Sequence, residues 1–209
     1  MVFLLDKALL FPNPELADKD GLLAAGGDLS TERLLLAYQN GIFPWYSEGE
    51  PILWYSPHER FVLFPQEVHV SHTMRQILRS GKYRVTWNQD FSRIIHHAST
   101  IKRRGQSGTW ITAEMIDAYI ELHKKGLAHS VEVWLDGTLA GGLYGVGVGK
   151  IFCGESMFSI LPDASKAALI YLCQQRGYEL IDCQMHTPHL ERMGGRYISR
   201  KVYNSILKS

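Results

Sequence analysis

Apolar positions recur at helical spacing over several stretches of the chain and then switch to strict alternation. From Ser71, which can cap a first turn, Met74, Ile77 and Leu78 fall on one helical face. Asn88 stands in the same relation to Phe91, Ile94 and Ile95. A third helix starts near Thr112, repeats Met115, Ile116, Tyr119 and Leu122 inward, and ends at Gly126. The period then becomes two, with Val131, Val133 and Leu135 on one face, an Asp136-Gly137 hairpin turn, and strands at about 139 to 146 and 151 to 158 joined around Gly147 to Gly149. A helix from about Asp163 to Gln175, closed by Gly177, leads into the strand Tyr178 to Met185. The order β-β-β-α-β predicts an α+β fold.

Residues 1 to 60 differ in texture. Turn formers and aromatics crowd there, as in Phe11-Pro12-Asn13-Pro14, Gly26-Gly27-Asp28 and Phe43-Pro44-Trp45-Tyr46. One helix is expected, opening at Ser30 or Thr31, stopped by Asn40-Gly41, with Leu34, Leu35 and Tyr38 inward. This part reads as a small N-terminal α/β annex domain, and residues 61–209 as the main domain. With 209 residues, 45% of them hydrophobic, the chain can build one core plus such an annex.

Three cysteines with no paired spacing argue against a disulfide-stapled secreted protein and predict a reducing, cytoplasmic setting. Asp6 and Lys7 interrupt the apolar start, so no signal peptide is expected, and no apolar run approaches the roughly 20 residues of a membrane span. The net charge of +1 gives no case for a nucleic-acid partner, but its distribution does. Between Ser71 and Arg104 eight basic residues (Arg75, Arg79, Lys82, Arg84, Arg93, Lys102, Arg103, Arg104) face one acid, Asp90, a net +7, so the other 175 residues sum to −6. Arg75 and Arg79, four apart on one helical face, repel unless an anion sits against them. A solvated basic face is the other reading of the same pattern.

Candidate chemistry is concentrated in two strands. Alternation puts Leu180, Asp182 and Gln184 on one face of Tyr178 to Met185, and an acid in a central strand needs a partner, because an unpaired buried charge is very costly. It is either a satisfied structural acid or part of a site. Glu155 lies in phase with Ile151, Cys153 and Met157 on an apolar face, where a carboxylate needs a cation or a raised pKa. Familiar motifs fail on inspection. Gly154-Glu155-Ser156-Met157-Phe158 lacks the second glycine of a nucleophile elbow. The glycines from 141 to 149 sit between strands and open no phosphate-binding helix. Cys183, His186 and His189 lack a fourth ligand, so no metal site is expected. Trp45 and Trp110 are carried by loops and are either packed or able to stack on a flat base.

Read in order, the words Gly-Leu-Leu-Ala-Ala-Gly-Gly-Asp-Leu (21–29), Gly-Ile-Phe-Pro-Trp (41–45), Trp-Tyr-Ser-Pro (54–57), Gly-Thr-Trp-Ile-Thr (108–112), Ala-His-Ser-Val-Glu-Val-Trp (128–134), Gly-Gly-Leu-Tyr-Gly (141–145), Phe-Cys-Gly-Glu-Ser-Met-Phe-Ser (152–159), Ala-Ser-Lys (164–166) and Ile-Asp-Cys-Gln (181–184) closely resemble the bacterial leucyl/phenylalanyl-tRNA–protein transferase family over nearly the whole chain. Tyr55 and Leu143 depart from it, standing where tryptophan and methionine are usual. The resemblance implies an acetyltransferase-like (GNAT) core after the N-terminal domain. It also implies transfer of Leu or Phe, and less readily Met, from aminoacyl-tRNA to the N-terminal Arg or Lys of acceptor proteins, which marks them for degradation. A monomer without cofactor, metal or membrane partner is expected. Matching positions make Asp182, Gln184 and Glu155 catalytic, with Asp182, oriented by Gln184, accepting from the acceptor amine. Trp45 and Trp110 would hold the terminal adenine; Leu143, Phe152, Leu169 and Leu172 the amino-acid side chain; Tyr119 would also touch substrate; and Arg75, Arg79, Lys82 and Arg84 would face the tRNA. An acyl-CoA-dependent N-acetyltransferase would need a glycine-rich pyrophosphate loop that Met157 to Lys166 does not offer. A non-catalytic tRNA-binding adaptor would have no use for Asp182 and Gln184.

Overall fold

A computed structural model describes residues 2–101 and 110–209. Lys102, Arg103, Arg104, Gly108 and Thr109 lie outside the described residues. The chain forms a mixed α/β structure with two sheets. The first contains β1 (Phe3–Leu5), β2 (Leu22–Gly26), β3 (Phe43–Pro44) and β4 (Leu53–Tyr55), in the order β1-β2-β4-β3, with α1 (Thr31–Gln39) between β2 and β3. The second begins with β5 (Glu59–Leu63), followed by α2 (His72–Arg79), β6 (Arg84–Trp87), α3 (Phe91–Thr100), α4 (Ala113–Lys124), β7 (Ala128–Leu135), β8 (Thr138–Val148) and β9 (Ile151–Ser159). After these come α5 (Ala164–Gln175), β10 (Leu180–Gln184), α6 (Pro188–Arg192), β11 (Arg196–Ser199) and α7 (Arg200–Leu207). Its seven strands lie in the order β11-β5-β10-β9-β8-β7-β6, with β10 parallel to β9 and antiparallel to β5.

Local chemistry accounts for most helix starts. The hydroxyls of Ser30, Ser71 and Thr112 each accept from the third backbone N–H of the helix that follows, at 3.4, 3.2 and 3.2 Å. The expected cap at Asn88 is displaced to Asp90, whose carboxylate accepts from Arg93 N at 3.1 Å. Asn88 instead sits at φ 55° and spends its amide on β7, accepting from Ser130 N and facing His129 Nδ1, both at 2.9 Å. An Asn tolerates the left-handed region and holds the turn there, which leaves the next acid to open the helix. The strand expected over Tyr178 to Met185 is shorter than alternation suggests, β10 running from Leu180 to Gln184.

Apolar side chains fill both faces of the large sheet. On one face Tyr38, Phe91, Ile94, Met115, Tyr119, Leu122 and Tyr144 join the N-terminal sheet through Leu23 and Trp54. On the other, Met74, Val131, Leu143, Phe152, Leu169, Leu172 and Ile181 pack beneath α2 and α5. Full burial of each such large apolar side chain contributes about 1.5–3 kcal/mol. Two glycines of β8 set close approaches: a Cβ on Gly141 would lie 2.8 Å from the Cβ of Ala164 in α5, and one on Gly145 would lie 2.1 Å from the Cys153 carbonyl. Gly145 also marks the register shift between β8 and β9 that leaves Glu155 without a direct partner on β8.

Candidate active site

Glu155, in the middle of β9, is only 6% exposed, yet it is surrounded by donors. Its Oε1 accepts from the Tyr38 hydroxyl of α1 at 2.7 Å and from Gln184 Nε2 at 2.9 Å. The Tyr119 hydroxyl of α4 is hydrogen-bonded in turn to that of Tyr38. Its Oε2 is buried and makes no hydrogen bond of ordinary geometry among the described residues, with the Tyr119 hydroxyl near enough to favour the ionised carboxyl. Burial pushes the Glu155 carboxyl up to about 7; the Asp182 charge adds to this, while the hydrogen bonds of Tyr38, Gln184 and Tyr119 oppose it. A carboxyl poised near neutrality can exchange a proton with a bound amine.

Asp182, on β10, is fully buried and forms an ion pair with Arg60 of β5. Arg60 also donates to the Gly41 carbonyl at 3.0 Å and stacks its guanidinium over Phe43 and Tyr203, 4.8 and 4.6 Å from the ring centroids. The second Asp182 oxygen accepts the backbone N–H of Gln184 at 2.9 Å. Gln184 therefore does not orient Asp182 with its amide. A register shift between the two residues, with Gln184 at φ 58°, breaks the alternation expected of a regular strand and turns the amide to Glu155 instead. Asp182 reads as the anchor of the turn and Glu155 as the carboxyl with free capacity.

These groups border a cavity of about 570 Å³, within the range of small-molecule sites. Trp45, Trp110, Leu143, Phe152, Leu169, Leu172, Glu155, Asp182 and Gln184 all line it. Leu169 and Leu172, one turn apart on α5, reach the same wall as Leu143 of β8 and Phe152 of β9. Trp45 is 40% exposed and its ring is tilted against that of Tyr55, with centroids 5.9 Å apart. Tyr119 does not line the cavity: it is fully buried behind Tyr38, which corrects the expectation of a direct substrate contact. Arg75 and Arg79 line a separate open groove of about 580 Å³ beside Gln66, His69 and Gln174, while exposed Lys82 and Arg84 continue the basic surface to the free edge of β6.

Two contributors escaped the sequence reading. Arg60 shares the inward phase of Val62 in β5, and a cation on an apolar strand face was the available sign of the partner Asp182 requires. Tyr38 was placed inward, and a buried phenol needs an acceptor. The thiols of Cys153, Cys173 and Cys183 are free, and burial pushes each of them up, that of Cys173 to about 12. His186 faces Glu191 at 3.1 Å, and among the described residues no group of three or more His, Cys, Asp or Glu is arranged to hold a metal. No helix among them is long and apolar enough to cross a membrane.

A cavity that joins an apolar side-chain pocket, two indoles and a neutral-range carboxyl suits an acyl donor bearing a large apolar group and a flat ring. The sequence matches the model of the leucyl/phenylalanyl-tRNA protein transferase over residues 62–208 and that of its N-terminal domain over 27–58. The chain is 53% identical to a leucyl/phenylalanyl-tRNA–protein transferase of Flavobacterium johnsoniae over the full length of both, and 55% identical to one of Syntrophus aciditrophicus, covering 98% of this chain and 87% of that one. The chain belongs to the leucyl/phenylalanyl-tRNA–protein transferase family. Among solved structures it is similar to a GCN5-related N-acetyltransferase of Kribbella flavida, at 9% identity and a TM-score of 0.38, over 77% of this chain and 51% of that one.

Proposed function

We propose that this protein transfers Leu or Phe, and less readily Met, from aminoacyl-tRNA to the N-terminal Arg or Lys of acceptor proteins, marking them for degradation. The observation that carries the reading is the shared cavity, with its apolar pocket, two indoles and Glu155. Family membership supports the same donor and acceptor. The aminoacyl side chain enters the pocket of Leu143, Phe152, Leu169 and Leu172, and the terminal adenine stacks between Trp45 and Trp110. An apolar pocket separates neighbouring aliphatic side chains by only about 1–3 kcal/mol per methylene, consistent with several accepted residues. Arg75, Arg79, Lys82 and Arg84 contact tRNA phosphates.

The donor ester is already activated. The acceptor α-amine attacks its carbonyl carbon, the bond to the ribose oxygen breaks, and the amide forms. The amine gives a proton to Glu155 Oε2, while the released ribose oxygen takes one up. Gln184 holds Glu155, and Asp182, paired with Arg60, holds the turn that carries Gln184. Residues 1–60 serve as a small N-terminal domain and 61–209 as an acetyltransferase-like catalytic domain; the two sheets, the second beginning with β5 at Glu59, and the separate family models over 27–58 and 62–208 support a division close to this boundary. The protein acts as a cytoplasmic monomer.

The test incubates the protein with labelled Leu-tRNA and a peptide beginning with Arg, beside one beginning with Glu, with and without prior RNase. Transfer to the Arg peptide alone, lost with RNase, is expected. No transfer by folded, tRNA-binding protein would favour the adaptor reading.

A further inference from the structure

The cavity wall contains three acids, Asp20, Glu155 and Asp182, and no lysine or arginine among the described residues. Asp182 is neutralised by Arg60. Two acids remain, Glu155 with its buried Oε2 and the exposed Asp20, whose carboxylate has no hydrogen bond or ion pair among the described residues. An acceptor peptide beginning with Arg or Lys brings two cations to this cavity, its α-ammonium and its side chain.

Asp20 is held by a turn that the chain builds with care. The Asp18 carboxylate accepts the backbone N–H groups of Asp20 and Leu22, each at 2.9 Å. Gly21 follows at φ 87°, and a Cβ there would lie 2.8 Å from the Cα of Pro57, itself part of the cavity wall. The Gly21 carbonyl accepts from Ser56 N at 2.7 Å. The turn is thus pinned to the cavity rim next to Tyr55, whose hydroxyl is held above its ordinary value by burial and by the carboxylates of Asp18, Glu50 and Asp20. The apolar wall and the indoles face the donor, and the cationic side chain has one uncompensated anion at the rim to meet.

We infer that Asp20 is the specificity-determining residue for the acceptor, pairing with the basic side chain of its first residue while the α-amine goes to Glu155. This assignment rests on the proposed transfer reaction and adds to it a reason for the acceptor's positive charge. Because Asp20 is exposed, the pairing is partly screened and its contribution is that of a rim contact.

The experiment compares peptides identical except for a first residue of Arg, citrulline or Glu, citrulline being the neutral isostere of Arg, with Leu-tRNA saturating. Wild type is expected to favour Arg over citrulline. Asp20→Asn should lower that ratio about tenfold, through the KM of the Arg peptide and with the KM for Leu-tRNA unchanged, and Asp20→Lys should invert it. An Arg-to-citrulline ratio unchanged in both variants overturns the assignment. A ratio abolished only by Glu155→Gln would overturn it too, by giving Glu155 the side chain. Transfer by wild type to none of the peptides would overturn the functional reading, and the assignment with it.

Discussion

Glu155 concentrates the chemistry of this molecule in one side chain. Its carboxyl is raised from about 4.5 in the unfolded chain to about 7 in the folded one, so folding binds a proton between those pH values. Stability therefore falls as pH rises through that window, by on the order of 3 kcal/mol, and stays at the lower level above it. Glu155→Gln, which keeps an acceptor for Tyr38 and Gln184, should raise the melting temperature at pH 8 and leave it unchanged near pH 4. The same variant should lose about 10² to 10⁴ in turnover at pH 8, and wild-type kcat should climb as pH rises through about 7, the acid form being the inactive one. A calorimetric scan and a pH–rate profile read the two effects separately. Arg60 and Asp182 behave differently, as a fully buried pair. Arg60→Met should cost about 3–5 kcal/mol in urea unfolding by orphaning Asp182, whereas replacing both by apolar residues should recover much of that loss. Residue types and phases made both acids visible in the sequence. Their division of labour was not visible, since Arg60 lies 122 positions from Asp182, and the turn at Gln184 reverses the neighbour that alternation assigns to it.

At the scale of elements, α2 and β6 form a basic edge set apart from the cavity. Arg79→Glu should reduce kcat/KM with full Leu-tRNA about tenfold or more and flatten its salt dependence. It should leave transfer from a leucyl-adenosine fragment unchanged, because the fragment has no stem phosphates to engage. Loss of both activities would remove α2 from the tRNA surface. Helices and strands were legible here because caps and periodicity are local: Ser30, Ser71 and Thr112 each bond within their own first turn. The miss at Asn88 has a tertiary cause, the pull of Ser130 and His129 across 42 and 41 positions. The bulges at Gly145 and Gln184 were equally illegible, because a bulge is defined by two strands and a sequence shows one at a time.

Over the whole molecule, the two sheets meet around the cavity, and α7 ties them together. Arg200 of α7, 5% exposed, donates to the carbonyls of Pro14 at 2.8 Å and Ser56 at 2.9 Å and binds the Glu15 carboxylate. Arg200→Met should destabilise the fold by about 2–4 kcal/mol, since two carbonyls lose their donor, and chemical denaturation followed by tryptophan fluorescence would measure it. Retained stability would show that this tie is redundant with the packing of Tyr203 against Arg60. By itself, the sequence determined α1 to α5, the strands β7 to β10, their apolar faces and the basic edge, because periodicity, capping and residue chemistry act over a few positions, whereas the cavity residues were named by resemblance to the family. Only the tertiary structure decided that Arg60 neutralises Asp182, that Tyr38 and Gln184 converge on Glu155, that Tyr119 stands behind rather than at the cavity, and that Asp20 reaches its rim. Each of these depends on chain segments brought together by burying two apolar faces at once, and pairing across such distances leaves no local periodic trace.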